Sequence, residues 1–539
     1  MVGLAAAFGS GAMTNSLPEL AQSKCIFITG SNTTENHPIA AKWIFRGKAN
    51  GAKLIVADPR WIQMSDLADI AVQQRLGSDV ALLNGLMHII LKEGWHDAAY
   101  VAERTEGFEE FKAKLQEYPP DKVAHITGIP PETLRRMAEM YAKTKPASIV
   151  YCMGITQHTT GVDNVKSLAN LAMLTGNVGF VSAGVNPLRG QNNVQGACDM
   201  GGLPNVFSGY QPVADEAANA KFSEAWGKKL PNKPGLTILE MFHGIDEGKI
   251  KALYVVGENP MVTDPDLHHV EAALKKLECF IVQDIFLTET AKFAHVVLPG
   301  TSFAEKNGTF SNTERRVLLV RQAIKPLGEA RPDWQITQDL STRVGYPMNY
   351  GSPAEIFAEI AKLTGSYAGM TYERLAAGGL QWPCPTTDHP GTVFLHKDRF
   401  SRGKGLFTAI DYKPPAEVTD KDYPFFLTTG RVFTHYHSGT MTRVSPTLHR
   451  EMEAGYVEIS PADARAMGIK DGERIKVSSR RGEIQIKAKL SRKVDRGVVF
   501  IPFHFAETAA NILTNPAYDP AAKIPEYKVC AVKVEKLAA

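Results

Sequence analysis

Two features that would each define a class of protein are absent from this sequence. No apolar run approaches the ~18 residues that a helix needs to cross a bilayer, so no membrane span is predicted. No cysteine belongs to a C-x-x-C pair, which argues against a zinc or iron–sulfur site built from this chain alone. We therefore expect the cysteines to be buried or incidental thiols. The cysteines are Cys25, Cys152, Cys198, Cys279, Cys384 and Cys530.

The sequence also has little excess charge. Its net charge of +3 is too small to indicate a nucleic acid or an anionic membrane as a partner. The first basic residue is Lys24, so the N-terminal stretch lacks the charged region of a secretory signal. We expect a cytoplasmic protein, or a periplasmic one if a signal precedes residue 1. The composition is that of a globular protein, and 539 residues predict three or four domains.

The clearest pattern that is present is an approximate internal repeat. Residues 25–29 and 252–256 are short apolar runs, and each is closed by Gly-x-Asn, at Gly30 and Gly257. Short apolar runs that end in glycine predict buried parallel strands. Each copy continues with a helical stretch and a second apolar run. The pattern therefore predicts two βαβ units.

Each copy also has an aspartate after its second apolar run. Asp58 lies 28 positions after Gly30, and Asp284 lies 27 positions after Gly257. In βαβ units the first turn approaches a phosphate, and an acidic residue after the next strand meets a ribose or base. Neither copy has the G-x-G-x-x-G pattern of a standard NAD site. Two matched copies favour a ligand with two nucleotide ends, or two nucleotides; plain α/β repetition is the alternative.

The sequence pattern changes along the chain. Helical stretches around 79–93 and 132–143 and an apolar run at 147–154 follow the first copy, and residues 300–415 are mixed. From about residue 423 the chain alternates with period two, which predicts a β-barrel-like domain. We expect an α/β fold with two Rossmann-like αβα domains, at 1–191 and 192–303. A mixed connector at 304–415 and a β-barrel domain at 416–539 complete the predicted division.

The most unusual segment is residues 184–202, which concentrates amides, glycines and one arginine, Arg189. Glycines let a backbone approach a ligand closely, and amides pair with the edges of heterocycles. An arginine presents a planar fork to a carboxylate. A polar surface loop is the alternative for the segment, and a phosphate-binding or structural arginine is the alternative for Arg189.

This segment closely resembles the signature of formate dehydrogenase catalytic subunits, within the molybdopterin oxidoreductases of the dimethyl sulfoxide reductase superfamily. Other stretches resemble the same family in the same order, so the resemblance covers essentially the whole chain. They are residues 5–15, 105–110, 167–177, 282–286, 430–437 and 526–532.

The resemblance implies a bis(molybdopterin guanine dinucleotide) cofactor that carries molybdenum or tungsten, and so explains the doubled βαβ unit. It implies formate as the substrate and CO2 as the product, with Arg189 orienting formate. It implies no metal ligand in this chain, and imidazole ligation by His435 or His437 is not expected. The implied cofactor-binding residues are Gly30, Asn32, Asp58, Arg60, Met153, Gly154, Gln157, Gln191, Gly257, Asn259, Gln283, Asp284, Arg431, His437, Asn511 and Lys528.

Members of this family usually begin with a four-cysteine iron–sulfur motif and then a selenocysteine or cysteine metal ligand. The residues resembling that region are not in this sequence, so a 4Fe-4S cluster is expected only upstream of residue 1. A selenocysteine codon read as a stop is one hypothesis for the start at Met1. On this view the 539-residue chain alone is inactive, and electrons leave through iron–sulfur partner subunits. Alternatives are nitrate reduction, formylmethanofuran oxidation and a non-catalytic cofactor-binding paralogue.

Overall fold

The structure, a computed structural model, describes residues 1–537. The chain divides into two compact units. Unit 1 comprises Met1–Gly190, Val262–His268 and Phe394–Ala539, and unit 2 comprises Gln191–Met261 and His269–Val393. The predicted division into four sequence segments remains a prediction.

Strands occur from residue 25 to residue 536 and are numbered in chain order. They are β1 (Cys25–Thr29), β2 (Lys53–Ala57), β3 (Ile70–Val72), β4 (Thr105–Glu106), β5 (Ala147–Tyr151), β6 (Gly184–Pro187), β7 (Val206–Phe207), β8 (Gln211–Pro212), β9 (Ala252–Val256), β10 (Cys279–Asp284), β11 (Val296–Pro299), β12 (Gly308–Ser311), β13 (Arg316–Val320), β14 (Leu380–Gln381), β15 (Gly405–Leu406), β16 (Phe425–Gly430), β17 (Tyr456–Ile459), β18 (Arg474–Ser478), β19 (Glu483–Leu490), β20 (Val498–Pro502) and β21 (Cys530–Lys536).

The α-helices are numbered in the same way. They are α1 (Val2–Phe8), α2 (Thr33–Asn36), α3 (Pro38–Ala49), α4 (Asp79–Lys92), α5 (Ala98–Arg104), α6 (Phe108–Leu115), α7 (Pro120–Thr127), α8 (Pro131–Lys143), α9 (Met153–Thr156), α10 (Gly161–Leu174), α11 (Val194–Asp199), α12 (Glu216–Trp226), α13 (Ile238–Asp246), α14 (Pro260–Thr263), α15 (Leu267–Leu274), α16 (Asp333–Arg343), α17 (Pro353–Leu363), α18 (Tyr372–Ala376), α19 (Pro446–Glu451) and α20 (Pro461–Met467).

Unit 1 contains a five-stranded parallel sheet in the order β3-β2-β1-β5-β6. Its central strands β1 and β5 are buried along their whole length, as apolar runs in a sheet covered on both faces should be. Helices α4, α8 and α10 contribute to the core on one face, and α3, which proline opens at its first turn, contributes to the core on the other. The strand order reverses between β1 and β5.

Unit 1 also contains a closed six-stranded barrel in the order β16-β20-β17-β19-β18-β21. Strand β19 alternates buried and exposed residues along its length, which is the period-two pattern of a strand with one covered face. Its buried residues join an apolar barrel core that includes Val457, Ile475 and Val499. Because both edges of the sheet are paired, the barrel leaves no open strand edge.

Unit 2 contains a three-stranded parallel sheet in the order β11-β10-β9. Helices α13 and α15 pack on this sheet through Phe242, Ile245, Val270 and Leu274. A second small sheet, β12-β13-β14, is antiparallel. In the parallel sheet the strand order runs in one direction, so this sheet has no reversal point.

The predicted fold class is confirmed: α/β sheets at both copies of the repeat and a barrel in the C-terminal region. The apolar runs at 25–29, 147–151 and 252–256 form the strands that the sequence predicts. Among the described residues, no helix has the length and apolar character needed to cross a membrane.

Candidate functional site

The most distinctive feature of unit 1 is the meeting of two strand ends where its sheet reverses. Gly30 follows β1, and Cys152, Met153 and Gly154 follow β5. The amide of Gly154 donates a hydrogen bond to the Gly30 carbonyl over 3.1 Å. In open parallel sheets, ligands bind outside the carboxyl ends of the strands at such a reversal. The topology therefore places the candidate site at these two turns.

The two glycines permit an unusually close approach of backbone to backbone. Gly30 has a φ of +55°, and a Cβ at this position would lie 2.7 Å from the carbonyl carbon of Gly154. A Cβ on Gly154 would in turn lie 2.6 Å from the Cα of Gly30. Real Cβ atoms do not approach so closely, so each position excludes any side chain. The sequence predicts both glycines as cofactor-binding residues, and the structure brings them together.

Three cationic side chains, Arg60, Arg431 and Lys528, form a cation cluster near these turns. Arg60 is buried, donates to Glu458 over 2.7 Å, and stacks 3.5 Å from the centroid of the Phe500 ring. Removal from water is the main cause that lowers the pKa of Lys528 to about 8, and the two arginines add to this effect. Like charges held together out of water favour an anion as their ligand.

Asp58 is the acidic residue beside the cation cluster. Burial raises its pKa to about 6, although the amide and the charge of Arg60 act in the opposite direction. The Asp58 carboxylate accepts a hydrogen bond from the amide of Arg60 over 3.0 Å. Asp58 also raises the pKa of Lys528, so the two side chains lie close enough to interact. The predicted residues Asp58, Arg60, Arg431 and Lys528 therefore belong to one electrostatic cluster.

Cys152 and His37 form a second pair at the same edge of the sheet. The Sγ atom of Cys152 lies 3.9 Å from Nε2 of His37. Burial by itself raises the pKa of the Cys152 thiol, but His37, the amide of Met153 and Arg431 outweigh it, and the net shift is downward. Neither residue is among the sequence-predicted site residues.

The loop after β6 carries Arg189. The carbonyl of Leu188 accepts a hydrogen bond from the Cys152 thiol over 3.1 Å, and that of Arg189 lies 2.9 Å from Nε2 of His37. The carbonyl of Gly190 accepts from Arg431 over 3.1 Å. The charge of Arg189 acts on the hydroxyl of Tyr151, at the end of β5. The structure thus brings the predicted substrate residue to the reversal point.

Several buried polar atoms of unit 1 have no protein partner within residues 1–537. Both amide atoms of Asn186 on β6 are of this kind, and so are Nδ1 of His37 and Nε of Arg60. Buried polar groups in proteins are almost always hydrogen-bonded. Unpartnered donors and acceptors in the same unit as the cation cluster fit a polar, anionic ligand with heterocyclic edges.

The predicted residues of unit 2 are more fully hydrogen-bonded within the protein. Asn259 donates to Glu289 over 2.8 Å and accepts from Thr290 over 2.7 Å. Gln283 accepts from the hydroxyl of Tyr254 and donates to Asp333 over 2.7 Å. The side chains of Asn259 and Gln283 therefore already have partners on both of their polar ends.

Two other predicted residues of unit 2 have different surroundings. Burial raises the pKa of Asp284, against the hydrogen bonds that it accepts from the amides that follow it. Gly257 has a φ of +63°, and a Cβ at this position would meet nothing within 4 Å. Gln191 is the first residue of unit 2, and its carbonyl accepts from the amide of Val194 over 3.4 Å.

Asp199 is the most strongly hydrogen-bonded carboxylate of unit 2. It is buried, and its two oxygens accept hydrogen bonds from side chains of four residues at 2.6–2.8 Å. The donors are Gln195, Tyr210, Tyr367 and Trp382. Burial raises the pKa of Asp199, and the donors oppose that effect. This carboxylate stabilises the fold of unit 2.

A surface cluster of His243, Asp246 and His269 has ligand-type atoms within 4.8 Å of one another. Its carboxylate already bonds Lys276 over 2.7 Å and His269 over 2.5 Å. Lysine and imidazole thus occupy the oxygens that a cation would need. The cluster is an ion-pair network on helices α13 and α15.

The remaining predicted residues of unit 1 have varied surroundings. Asn32 precedes α2 and accepts from Thr34 over 3.2 Å, and Met153 begins α9 and is 38% exposed. Gln157 ends α9, and its carbonyl accepts from the amide of Lys528 over 3.4 Å. Their assignment to the cofactor remains a prediction.

Two predicted residues follow barrel strands. His437 has a φ of +49°, and its carbonyl pairs with the ring of His504 over 2.5 Å. Asn511 is buried and donates to the carbonyls of Val262 and Thr263 over 2.8 and 3.0 Å. The amide nitrogen of Asn511 thus already has protein partners. Both ring nitrogens of His435 also have partners, Thr442 and Met452.

Sequence reasoning missed His37, Cys152, Asn186 and Glu458. His37 immediately precedes the proline that opens α3, and Cys152 immediately precedes the predicted Met153. His37 lies shortly after the first glycine turn, and Cys152 lies directly after β5. These positions were signals that could have identified both residues. Glu458 gave no such signal, because 398 positions separate it from Arg60.

Comparisons with known proteins identify the family of this chain. Residues 4–343 match the family Molybdopterin oxidoreductase, and residues 425–531 match the Molydopterin dinucleotide binding domain. The chain is 54% identical to F420-dependent formate dehydrogenase 1 subunit alpha of Methanococcus maripaludis, and the match covers 100% of this chain and 80% of that protein.

More distant relatives show the same relationship. The chain is 42% identical to formate dehydrogenase H of Escherichia coli, over 100% of this chain and 76% of that protein. Acetylene hydratase from Pelobacter acetylenicus has the same fold, with a TM-score of 0.76 at 21% identity, over 99% of this chain and 80% of that one. This chain therefore belongs to the molybdopterin oxidoreductase family, among the alpha subunits of formate dehydrogenases.

Proposed function

We propose that this chain oxidises formate to CO2 as the catalytic subunit of a formate dehydrogenase. The reaction breaks the C–H bond of formate and releases two electrons and one proton. The observation that carries the proposal is the position of the Arg189 loop: its three consecutive carbonyls are bonded by Cys152 after β5, by His37 before α3 and by Arg431 after β16. A small carboxylate bound by Arg189 would lie beside the cofactor bed.

The residues of unit 1 fit a molybdopterin guanine dinucleotide. Gly30 and Gly154 hold the two turns together at the strand ends, where the dinucleotide would bind. Arg60, Arg431 and Lys528 would neutralise its phosphates, and Asp58 would accept from a base or ribose. Asn32, Met153 and Gln157 are proposed to line the same bed. The unpartnered amide of Asn186 offers one more donor and acceptor.

Unit 2 would hold a second guanosine end of the cofactor. We assign Gly257 and Asp284 to a second guanosine end, because nothing lies within 4 Å of a Cβ on Gly257 and Asp284 accepts hydrogen bonds from the backbone amides that follow it. Gln191, Asn259, Gln283, His437 and Asn511 are proposed as further contacts on the strength of the family resemblance alone.

When bound, the molybdenum- or tungsten-bearing cofactor supplies the acceptor for the two electrons. Arg189 binds the carboxylate of formate with its planar fork, which leaves the C–H bond directed away from the guanidinium. The cation cluster offsets the repulsion between the formate anion and the phosphates of the cofactor. Buried apolar side chains such as Ile155 exclude water from the protein interior beside the two glycine turns.

We further propose that the electrons reach F420 through another subunit of the assembled enzyme. The supporting observation is that the M. maripaludis relative is the alpha subunit of an F420-dependent formate dehydrogenase. Among residues 1–537, no cysteine belongs to a group of three or more ligand-type side chains that could hold a metal ion. We propose that a 4Fe-4S cluster is held by other residues of the assembled enzyme.

Anaerobic steady-state assays on the assembled enzyme test the function. We expect formate to reduce a viologen dye and F420, nitrate to oxidise reduced viologen no faster than the buffer blank, and each chain to release guanine nucleotide with one molybdenum or tungsten. Nitrate reduction without formate oxidation would contradict the proposal. A metal-free, nucleotide-free enzyme with neither activity would favour a non-catalytic paralogue.

A further inference from the structure

The Arg189 loop is fixed at three consecutive carbonyls by side chains from three separate parts of unit 1. Cys152 lies after β5, His37 lies before α3, and Arg431 lies after β16. Their donors meet the carbonyls of residues 188, 189 and 190, respectively. A backbone–backbone bond from Leu188 to the carbonyl of Tyr151, at 2.9 Å, fixes the start of the same loop.

Such a set of contacts is unusual for a loop. Carbonyls in a loop on a protein surface can be hydrated, and they need no side-chain donors. Leu188 and its donor Cys152 are buried, so losing the Cys152 thiol would leave the Leu188 carbonyl without water to replace it. The donors are also close to one another: Cys152 lies 3.9 Å from His37, and the charge of Arg431 acts on its thiol.

We propose that His37, Cys152 and Arg431 form an Arg189 clamp, which sets the position of Arg189 and thereby the affinity for formate. His37 and Cys152 are positioning residues: they act on formate only through the backbone of the loop. The proposal rests on the proposed role of Arg189 in binding formate. Arg431 also belongs to the cation cluster, so the test uses the other two members.

The clamp requires His37 and Cys152 each to carry the hydrogen that they donate. The Arg189 carbonyl can only accept, so Nε2 of His37 carries a hydrogen and donates it. The carbonyl of Leu188 also only accepts, so Cys152 contributes as a thiol. Replacements that keep a donor near the same place should therefore preserve the clamp, and replacements without a donor should open it.

The test compares donor-free and donor-keeping variants in the assembled enzyme. We expect His37→Ala and Cys152→Ala each to raise KM for formate about 5- to 10-fold, the equivalent of one lost hydrogen bond, with kcat changed less than 3-fold. His37→Gln and Cys152→Ser, which retain a donor, should recover most of the loss. Metal and guanine nucleotide per chain are measured for each variant, and rates are divided by cofactor content.

A matched control comes from a histidine elsewhere in unit 1. His88 on α4 pairs with the Leu115 carbonyl over 2.8 Å, the same kind of bond as that of His37. His88→Ala should leave KM for formate unchanged, even if stability falls. If His37→Ala does not retain cofactor, the pair Cys152→Ala and Cys152→Ser decides the question, because these two differ by a single hydroxyl group.

Arg189→Lys separates failure of the clamp from failure of the proposed function. If Arg189→Lys raises KM for formate while both alanine variants leave it unchanged, the clamp is wrong and the role of Arg189 stands. If Arg189→Lys leaves KM unchanged, the role of Arg189 is wrong and the clamp falls with it. Equal KM increases in the donor-free and donor-keeping variants would also overturn the clamp.

Discussion

Unit 1 and unit 2 each contain a cluster of buried polar groups, and the two clusters differ in completeness. In unit 2, Asp199 accepts from four side chains, so its charge is satisfied within the protein. In unit 1, burial lowers the pKa values of the cations Arg431 and Lys528, and both atoms of the Asn186 amide have no partner within residues 1–537. A satisfied cluster stabilises a fold, whereas an incomplete one is suited to a ligand.

The two glycine turns show the same contrast. Gly30 and Gly257 occupy matching places in the sequence repeat and have similar positive φ values, +55° and +63°. The first turn packs against the backbone of Gly154, and the second has open space where a side chain would be. Equal sequence patterns thus give equal local conformations with different surroundings.

The largest effect is expected for Gly30→Ala. The added methyl group would lie 2.7 Å from the backbone of Gly154, so the turns must separate and the cofactor bed must distort. We expect cofactor content per chain, measured as metal and released guanine nucleotide, to fall more than 10-fold. Gly154→Ala should produce the same loss, since the contact is reciprocal. Normal loading of either variant would contradict the assignment of the site to the reversal point.

Asp199→Asn tests the satisfied cluster. The amide group would set an N–H against donors that now bond a carboxylate oxygen, at a cost of about 2–4 kcal/mol. We expect a lower midpoint of thermal unfolding, followed by circular dichroism. Cofactor content of the folded protein should stay within 2-fold of the parent. A large loss of cofactor without loss of stability would place Asp199 in the binding site instead.

Lys528→Met should have the opposite effects from Asp199→Asn: higher stability without cofactor and lower cofactor content. Burial lowers the pKa of Lys528 to about 8 from an ordinary value of 10.5. The charged lysine therefore destabilises the cofactor-free fold below about pH 8, and this penalty disappears as pH rises to 10.5. We expect the variant to stabilise the cofactor-free protein by about 1–2 kcal/mol at pH 7 and to lose several-fold in cofactor retention.

The pH dependence of that stabilisation provides its own check. Denaturant titrations of both cofactor-free proteins should show the difference in unfolding free energy shrinking between pH 8 and 10.5. A difference that stays constant over this range would mean that the lysine charge is not its cause. Lys536→Met is a suitable control, because this exposed lysine ends the same barrel strand, β21, and bonds the Gly468 carbonyl at the surface.

The smallest effect on stability is expected for Gly257→Ala. Nothing lies within 4 Å of the added methyl group, so only the positive φ counts against it, at about 1 kcal/mol. If a dinucleotide approaches this turn, the methyl group should nevertheless reduce guanine nucleotide content per chain. Unchanged nucleotide content would contradict the assignment of Gly257 to the second guanosine end.

The strand ends could be predicted well from the sequence, because apolar runs closed by Gly-x-Asn have a local cause. The turns at Gly30 and Gly257 and the strand-end positions of Asp58 and Asp284 could be predicted in this way. Contacts made across long distances in the chain could not be found, since no local pattern encodes them. The Arg60–Glu458 ion pair and the approach of Lys528 to Asp58 are of this kind.

The strand order also lay beyond local patterns. Both copies of the repeat predict βαβ units, yet only the sheet of unit 1 reverses its order, when β5 pairs with β1 on the side away from β2. The reversal depends on β5 and β6, which lie far along the chain from the first copy of the repeat. It is this pairing that brings Cys152 and Gly154 to the Gly30 turn.

The most direct test of the account is the KM for formate in the assembled, cofactor-loaded enzyme, compared between the parent and Arg189→Lys. Lysine retains the charge but lacks the planar fork that bonds both oxygens of a carboxylate. We expect formate oxidation by the parent and at least about a 10-fold higher KM in the variant, at equal metal content. An unchanged KM would contradict the claim that Arg189 binds formate at this site.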